Sequence, residues 1–270
     1  MIRGPGRALG ALVALGLLLS AAPARAGLAD RVGATFVLIA EEFVRAFQPL
    51  EGLIVSVEGD ALYLDLGESR GAQAGQELLI FRKGEEFYHP LTGKPLGRYE
   101  ETVGWAQIRR VQPRFSEALY VPLDGKPRPR ADDGVRITRG RIKIAIAPVL
   151  DLTQSKADLR RVPYLLATVL ERSKRFQVAD PLAVAEIFAP GGARVEEVLG
   201  LPNRATRLAR TLEVTGWLVS VVLERRGVTY LDTTWISAVT GTALFSRRQP
   251  LVAPAAAEEQ RFPWEPPVED

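Results

Sequence analysis

The chain has no cysteine, one histidine (His89) and one methionine, at position 1, among its 270 residues. Without thiols there is no disulfide framework, no thiolate metal site, no cysteine nucleophile and no dithiol redox chemistry. A single imidazole excludes metal centres built on several histidines. His89 lies between Tyr88 and Pro90 in a turn-rich stretch, with no nucleophile placed beside it for a triad. A surface loop histidine is the simpler account. The zinc motif His-Glu-x-x-His and the Ser-x-x-Lys pair are also missing. The reading is therefore a non-enzymatic protein with no cofactor and no metal.

Long apolar runs are scarce too. Only residues 1–26 contain one, about 12 residues from Ala8 to Leu19, against the ~20 a spanning helix needs. Arg3 and Arg7 precede it and Ala24-Arg25-Ala26 follows, the layout of a secretory signal peptide cut after Ala26. A lipoprotein anchor needs a cysteine after the cut, so the expectation is a periplasmic protein that is not a lipoprotein and has no transmembrane segment. The net charge of +3 comes from 35 Lys+Arg against 32 Asp+Glu, and Arg3, Arg7 and Arg25 lie in the exported leader, leaving 32 against 32. That balance gives no support to nucleic-acid binding.

What is present divides into periodic blocks. Val32, Phe36, Ile39, Phe43 and Phe47 recur at spacings of three and four, which predicts an amphipathic helix over residues 27–49, stopped by Pro49. Its stripe either packs on the following domain or docks a partner. From Gly52 to Thr138, six short alternating runs predict strands: GLIVSVE, ALYLDL, ELLIFR, TVGWAQIRRV, ALYVPL and VRITRG. Glu58-Gly59-Asp60 is a hairpin connection, and His89–Gly97 a turn-rich excursion. So many short strands suggest a small β-barrel, closed or half-closed.

Glycines at 67, 71 and 75 raise the question of a phosphate loop. Gly75 is followed by Gln76-Glu77 and a strand, without the Gly-Lys-Ser/Thr and helix a P-loop needs, and the spacing is not that of a dinucleotide fingerprint. A turn that uses glycine at positive φ is expected instead.

From Arg141 the pattern is α/β. RIKIAIAPVLD gives an apolar strand from Ile142 to Val149, and a helix follows from near Val162, with Asp158 or Ser155 as candidate caps. FQVAD is a short strand. Asp180-Pro181 opens a second helix, and Asn203 is a candidate cap of a later one. Three meander strands end the module before Pro254, after which a proline-rich tail is expected to be disordered, with Phe262 and Trp264 as a possible docking element.

The segments GLIVSVEGDALYLDLGESRGAQAGQELLIFR, PLTGKPLG and VGWAQIRRVQPRFSEA resemble the C-terminal domain of the flagellar assembly protein T family over residues 50–121. The pieces IKIAIAPVLD, LLATVLERSKRFQVAD, ARTLEVTGWLVSVVLE and AVTGTALFS, within residues 141–251, resemble a different domain. It is shared by the curli-secretion lipoproteins, the Tol-Pal translocation protein N-terminal domain and lipoprotein activators of penicillin-binding proteins. The chain lacks the acylated cysteine of the secretion lipoproteins. Both resemblances imply non-enzymatic binding domains of the envelope.

The expected architecture is α+β. A signal peptide (1–26) and the helix (27–49) precede a small β-barrel module (50–140), an α/β module with a mixed sheet (141–253) and the tail (254–270). The expected role is an adaptor or assembly factor in a flagellar or secretion complex; the alternative is a peptidoglycan-associated or ligand-binding accessory protein. Candidate partner-binding residues are Phe36, Phe43 and Phe47 on the helix and Arg109, Arg110 and Arg114 at one end of the barrel. The arginines are either a solvated face or a site for an anionic partner. Asp124, Asp132 and Asp133 lack calcium-loop spacing, and Glu41-Glu42 and Glu100-Glu101 are neighbours whose side chains diverge, so neither pair is an acid–base couple.

Overall fold

A computed structural model describes residues 27–155 and 157–253. The expected signal peptide and disordered tail lie outside the described residues. Helix α1 (Leu28–Ala46) is followed by strands β1 (Leu50–Glu58), β2 (Ala61–Leu64), β3 (Glu77–Tyr88), β4 (Pro95–Val111), β5 (Ser116–Pro122) and β6 (Gly134–Ile137). The six strands pair antiparallel in the ring order β1-β2-β5-β4-β3-β6, and β6 returns to β1, so the barrel closes. Alternate residues point inward: Ile54, Leu62, Leu64, Leu78, Ile80, Val103, Ala106 and Ile108 are all buried.

The glycine stretch is a turn between β2 and β3. Gly71 and Gly75 have φ of 88° and 87°, which L side chains adopt at a cost. Gly75 also lies against the sheet module, where an added Cβ would stand 2.6 Å from the Leu244 carbonyl oxygen.

The second module follows. Its strands are β7 (Ile142–Ile146), β8 (Leu150–Asp151), β9 (Phe176–Val178), β10 (Gly216–Arg225), β11 (Val228–Ser237) and β12 (Ala243–Pro250), and its helices are α2 (Val162–Arg172), α3 (Pro181–Ile187), α4 (Val195–Gly200) and α5 (Pro202–Leu212). The sheet runs β12-β11-β10-β7-β9, with β8 beside β10. Pairs β10–β7, β10–β8 and β7–β9 are parallel, and β10–β11 and β11–β12 antiparallel, so the sheet is mixed. The whole described chain is α+β.

The sheet is buried on both faces, and its alternation sorts the two cores. Ile144, Ile146, Leu218 and Val222 face one cluster, which holds Phe36 and Phe43 of α1 and Leu166 and Leu170 of α2. Ala145, Ala147, Trp217 and Val219 face the other, with Val184, Val198, Ala205 and Ala209 of α3, α4 and α5. The first cluster runs on without a break into the barrel interior.

Helix α1 therefore covers the sheet and not, as its place in the sequence suggests, chiefly the barrel that follows it. Phe43 meets Phe245 with ring centroids 5.1 Å apart, and Phe47 meets Trp235 at 4.2 Å and Phe176 at 5.6 Å. Polar contacts repeat the pattern. Arg31 donates to the Val252 carbonyl at 2.9 Å, Val252 N–H donates to Thr35 Oγ1 at 3.0 Å, and Glu42 pairs with Arg247. The barrel is inserted in the chain between a helix and the sheet that this helix covers.

Three local expectations are corrected. The apolar strand ends at Ile146 rather than Val149, because Pro148 has no N–H for the ladder. Helix α2 takes Arg161 as its N-cap residue without a side-chain cap, and the Asp158 carboxylate instead receives Arg160. Helix α5 starts at Pro202, so Leu201 and not Asn203 holds the cap position. At α3 the expected cap is present: Asp180 accepts from Leu182 N–H at 2.9 Å.

Candidate binding surfaces

The barrel strands do not all end at the barrel. β3 and β4, of 12 and 17 residues, continue past it as a two-stranded arm, in which Lys83 pairs with Glu100, Glu86 with Arg98 and Tyr88 with Pro95. The turn-rich excursion is the tip of this arm. His89 closes it: its Nδ1 accepts from Leu91 N–H at 3.2 Å and Thr92 N–H at 3.3 Å, and its backbone N–H donates to the Lys94 carbonyl at 2.8 Å. The histidine is a turn cap. Phe87 and Tyr99 meet on one face with tilted rings, centroids 4.7 Å apart, Tyr99 lying over Gly84 and Phe87 against Gly97. On the strands between them Glu86 receives Tyr88 Oη at 2.8 Å, and Glu100 pairs with Arg136 at 2.6 Å. Leu91 at the tip is 90% exposed, and Tyr88, Leu96 and Tyr99 are more exposed than buried.

At the root of the arm, Arg82 grips Asp133 bidentately, with Nε to Oδ1 at 2.8 Å and Nη2 to Oδ2 at 2.7 Å. Asp133 is 3% exposed and also accepts from Arg130 N–H at 2.9 Å. Its oxygens are occupied by Arg82 and the Arg130 N–H. Among the described residues no cluster of His, Cys, Asp and Glu has the makings of a metal site.

A second surface is the seam between barrel and sheet. Glu77, at the start of β3, accepts from Gln107 Nε2 at 2.8 Å and from Ser237 Oγ at 2.9 and 3.1 Å. Gln107 Nε2 also reaches Thr240 Oγ1 at 3.1 Å, and Arg109 Nη2 donates to Gln107 Oε1 at 3.1 Å. Burial pushes the Glu77 carboxyl above its ordinary range, and the bonds from Gln107 and Ser237 only partly offset this. Beside it lies a cavity of about 130 Å³ lined by Phe47, Leu79, Trp105, Ile137, Ile142 and Trp235, together with Glu77, Arg136, Thr138 and Thr215.

The third surface is a shallow cleft of about 900 Å³ between the end of α1, the glycine turn and the end of β4. Arg45, Arg109 and Arg110 line it against one acid, Glu68. Arg110 stands 3.8 Å from Glu117 and remains 76% exposed, too loose an ion pair to hold the side chain.

The residues expected to bind partners therefore separate. Phe36 and Phe43 have no exposed surface and Phe47 has 6%; they are core residues beneath the sheet. Arg109 and Arg110 share the cleft, and Arg114 is exposed on the adjoining loop, its backbone packed against Gly67. Sequence reasoning missed the arm and Glu77. The arm had a signal, since apolar and aromatic residues continue through Phe87, Tyr88, Leu96 and Tyr99 on either side of the turn. Glu77 had none, because Ser237 lies 160 positions away.

No family model matches the chain. An uncharacterized protein of Aquifex aeolicus is 32% identical over 90 residues, a match that takes in 33% of this chain and 18% of that protein's length. Among solved structures, the LpoB C-terminal domain from Escherichia coli is similar over 43% of this chain and 85% of its own, at 15% identity and a TM-score of 0.35. The lipoprotein GNA1162 from Neisseria meningitidis is similar over 40% of this chain and 78% of its own, at 14% identity and a TM-score of 0.31.

Proposed function

We propose that this chain is a non-enzymatic adaptor or assembly factor of the bacterial cell envelope, exported to the periplasm, that docks on a larger complex through the β3–β4 arm. The observation that carries this reading is the arm itself. A two-stranded hairpin has little stability of its own, and apolar side chains left in water on it add little to the fold. Leu91, Tyr99 and Tyr88, at 90%, 65% and 54% exposure, fit a surface that is covered in a complex. The arm tip is also the PLTGKPLG segment on which the flagellar assembly protein T resemblance partly rests, so a flagellar or secretion complex is the partner class we favour. Export rests on the signal-peptide pattern of residues 1–26, and no described helix is long and apolar enough to cross a membrane.

The test is a cross-linked pull-down from cells, comparing the native protein with a Leu91→Asp/Tyr99→Ser variant whose fold is checked by circular dichroism. A discrete partner lost with the variant supports the reading; an undiminished partner set refutes it. The Arg45–Arg109–Arg110 cleft favours a second reading, a peptidoglycan-associated accessory protein. Muropeptides would then raise the melting temperature of the native protein but not of an Arg109→Ala/Arg110→Ala variant.

A further inference from the structure

The seam cavity combines three properties that belong together in a ligand site. It is aromatic, with Trp105, Trp235 and Phe47 in its walls. It holds a carboxylate, Glu77, whose hydrogen-bond donors, Gln107 and Ser237, are both neutral. And the one basic residue in the wall among the described residues, Arg136, is already committed, pairing with Glu100 at 2.6 Å and lying 4.2 Å over the Phe81 ring. The nearby Arg109 is spent on the Gln107 amide oxygen. A carboxylate in such surroundings is costly to keep without a cation. Aromatic faces carry negative charge at their centres and attract a cation to the same place.

Size narrows the ligand. At about 130 Å³ the space is close to the roughly 150 Å³ of an engineered apolar cavity that takes up benzene. It holds one ring, or a branched chain of similar bulk, and no more. Thr138 and Thr215 are exposed while the rest of the wall is buried or half-buried, which puts the opening between the barrel–sheet link and the residue before β10.

We infer that the seam is a binding site for a small primary amine, its ammonium on Glu77 and its apolar body, about one ring in size, between Trp105, Trp235 and Phe47. The site joins the two modules. Glu77 and Trp105 come from the barrel, Trp235 and the Glu77 donor Ser237 from the sheet, and Phe47 from the end of α1. An occupant would touch all three.

The experiment uses benzylamine as probe, with toluene as the neutral analogue and phenylacetate as the anionic one, followed by NMR on the purified protein. Benzylamine is expected to saturate, shifting the Trp105 and Trp235 indole signals. It should bind at least about tenfold more tightly than either analogue, a difference of ~1.4 kcal/mol. Glu77→Gln should abolish that preference. The inference is overturned if benzylamine fails to saturate, if phenylacetate binds as well, if Glu77→Gln binds benzylamine unchanged, or if the shifts fall at the Arg45–Arg109–Arg110 cleft. Should Glu77→Gln not fold, Thr138→Trp at the opening decides: lost binding supports the site and undiminished binding overturns it.

Discussion

Replacement of Arg175 by methionine tests how the modules are joined. Arg175 stands just before β9 and is 6% exposed, yet no carboxylate of the described residues meets it. Its guanidinium donates instead to three backbone carbonyls: Phe47 at the end of α1, and Gly140 and Thr138 on the link between barrel and sheet, the last at 2.6 Å. One side chain thus ties the helix, the link and the sheet edge together. Burial lowers its pKa, although an arginine stays charged in any accessible pH range. Methionine keeps most of the stem and removes all three donors. Each carbonyl left without a donor costs ~1–3 kcal/mol, while freedom from burying a cation returns several kcal/mol. The net expected loss is about 3 kcal/mol, and at ~2–4 °C per kcal/mol for a chain of this size the melting temperature should fall by roughly 6–12 °C. Arg175→Lys, which keeps the charge but cannot span three carbonyls, should fall between. Urea and thermal unfolding read the effect directly. A loss under about 1 kcal/mol for Arg175→Met would mean that water serves these carbonyls and that the joint lies elsewhere.

Glu77→Gln should change the pH dependence of stability. A carboxyl whose pKa is raised by folding holds its proton longer in the native state, so native stability falls as pH rises from the unfolded value through the raised folded one. The variant should lack that fall, gaining on the native protein at pH 7 relative to pH 4; parallel stability curves in urea titrations at the two pH values would refute this. Phe43→Ala removes a side chain with no exposed surface from the shared core, and a loss of ~3–5 kcal/mol is expected in the same assay. A loss below about 1 kcal/mol would contradict the placing of α1 on the sheet. Gly75→Ala meets both a left-handed backbone and the Leu244 carbonyl, so a loss above ~1 kcal/mol is expected, where a glycine in an ordinary open turn would gain from the change.

Much of the chain was legible because it obeys local rules. The β2 strand alternates, Asp180-Pro181 caps α3 as its chemistry dictates, and the glycine turn declared itself by lacking a lysine and a helix. The α1 stripe was equally plain, but its partner was not. Phe43 rests on Phe245, some two hundred positions away, and nothing local distinguishes packing on the next domain from packing on a later one. Pro90, Gly93, Pro95 and Gly97 are turn residues by type and hide the arm; Pro90 and Gly93 lie at its tip, while Pro95 and Gly97 pair within β4 and bulges let β3 and β4 stay paired. Arg175 and Glu77 carry no pattern at all. Each matters because of groups brought to it by the tertiary fold, and so neither was visible as a site.

The most direct test asks whether the protein meets its partner at the arm. A photoreactive amino acid placed at Leu91, and separately at Val55 on the barrel wall, which is 60% exposed, gives the direct comparison in growing cells. A discrete adduct from position 91 and none from position 55 is the expected result. Adducts from Val55 alone, or from neither position, would contradict it.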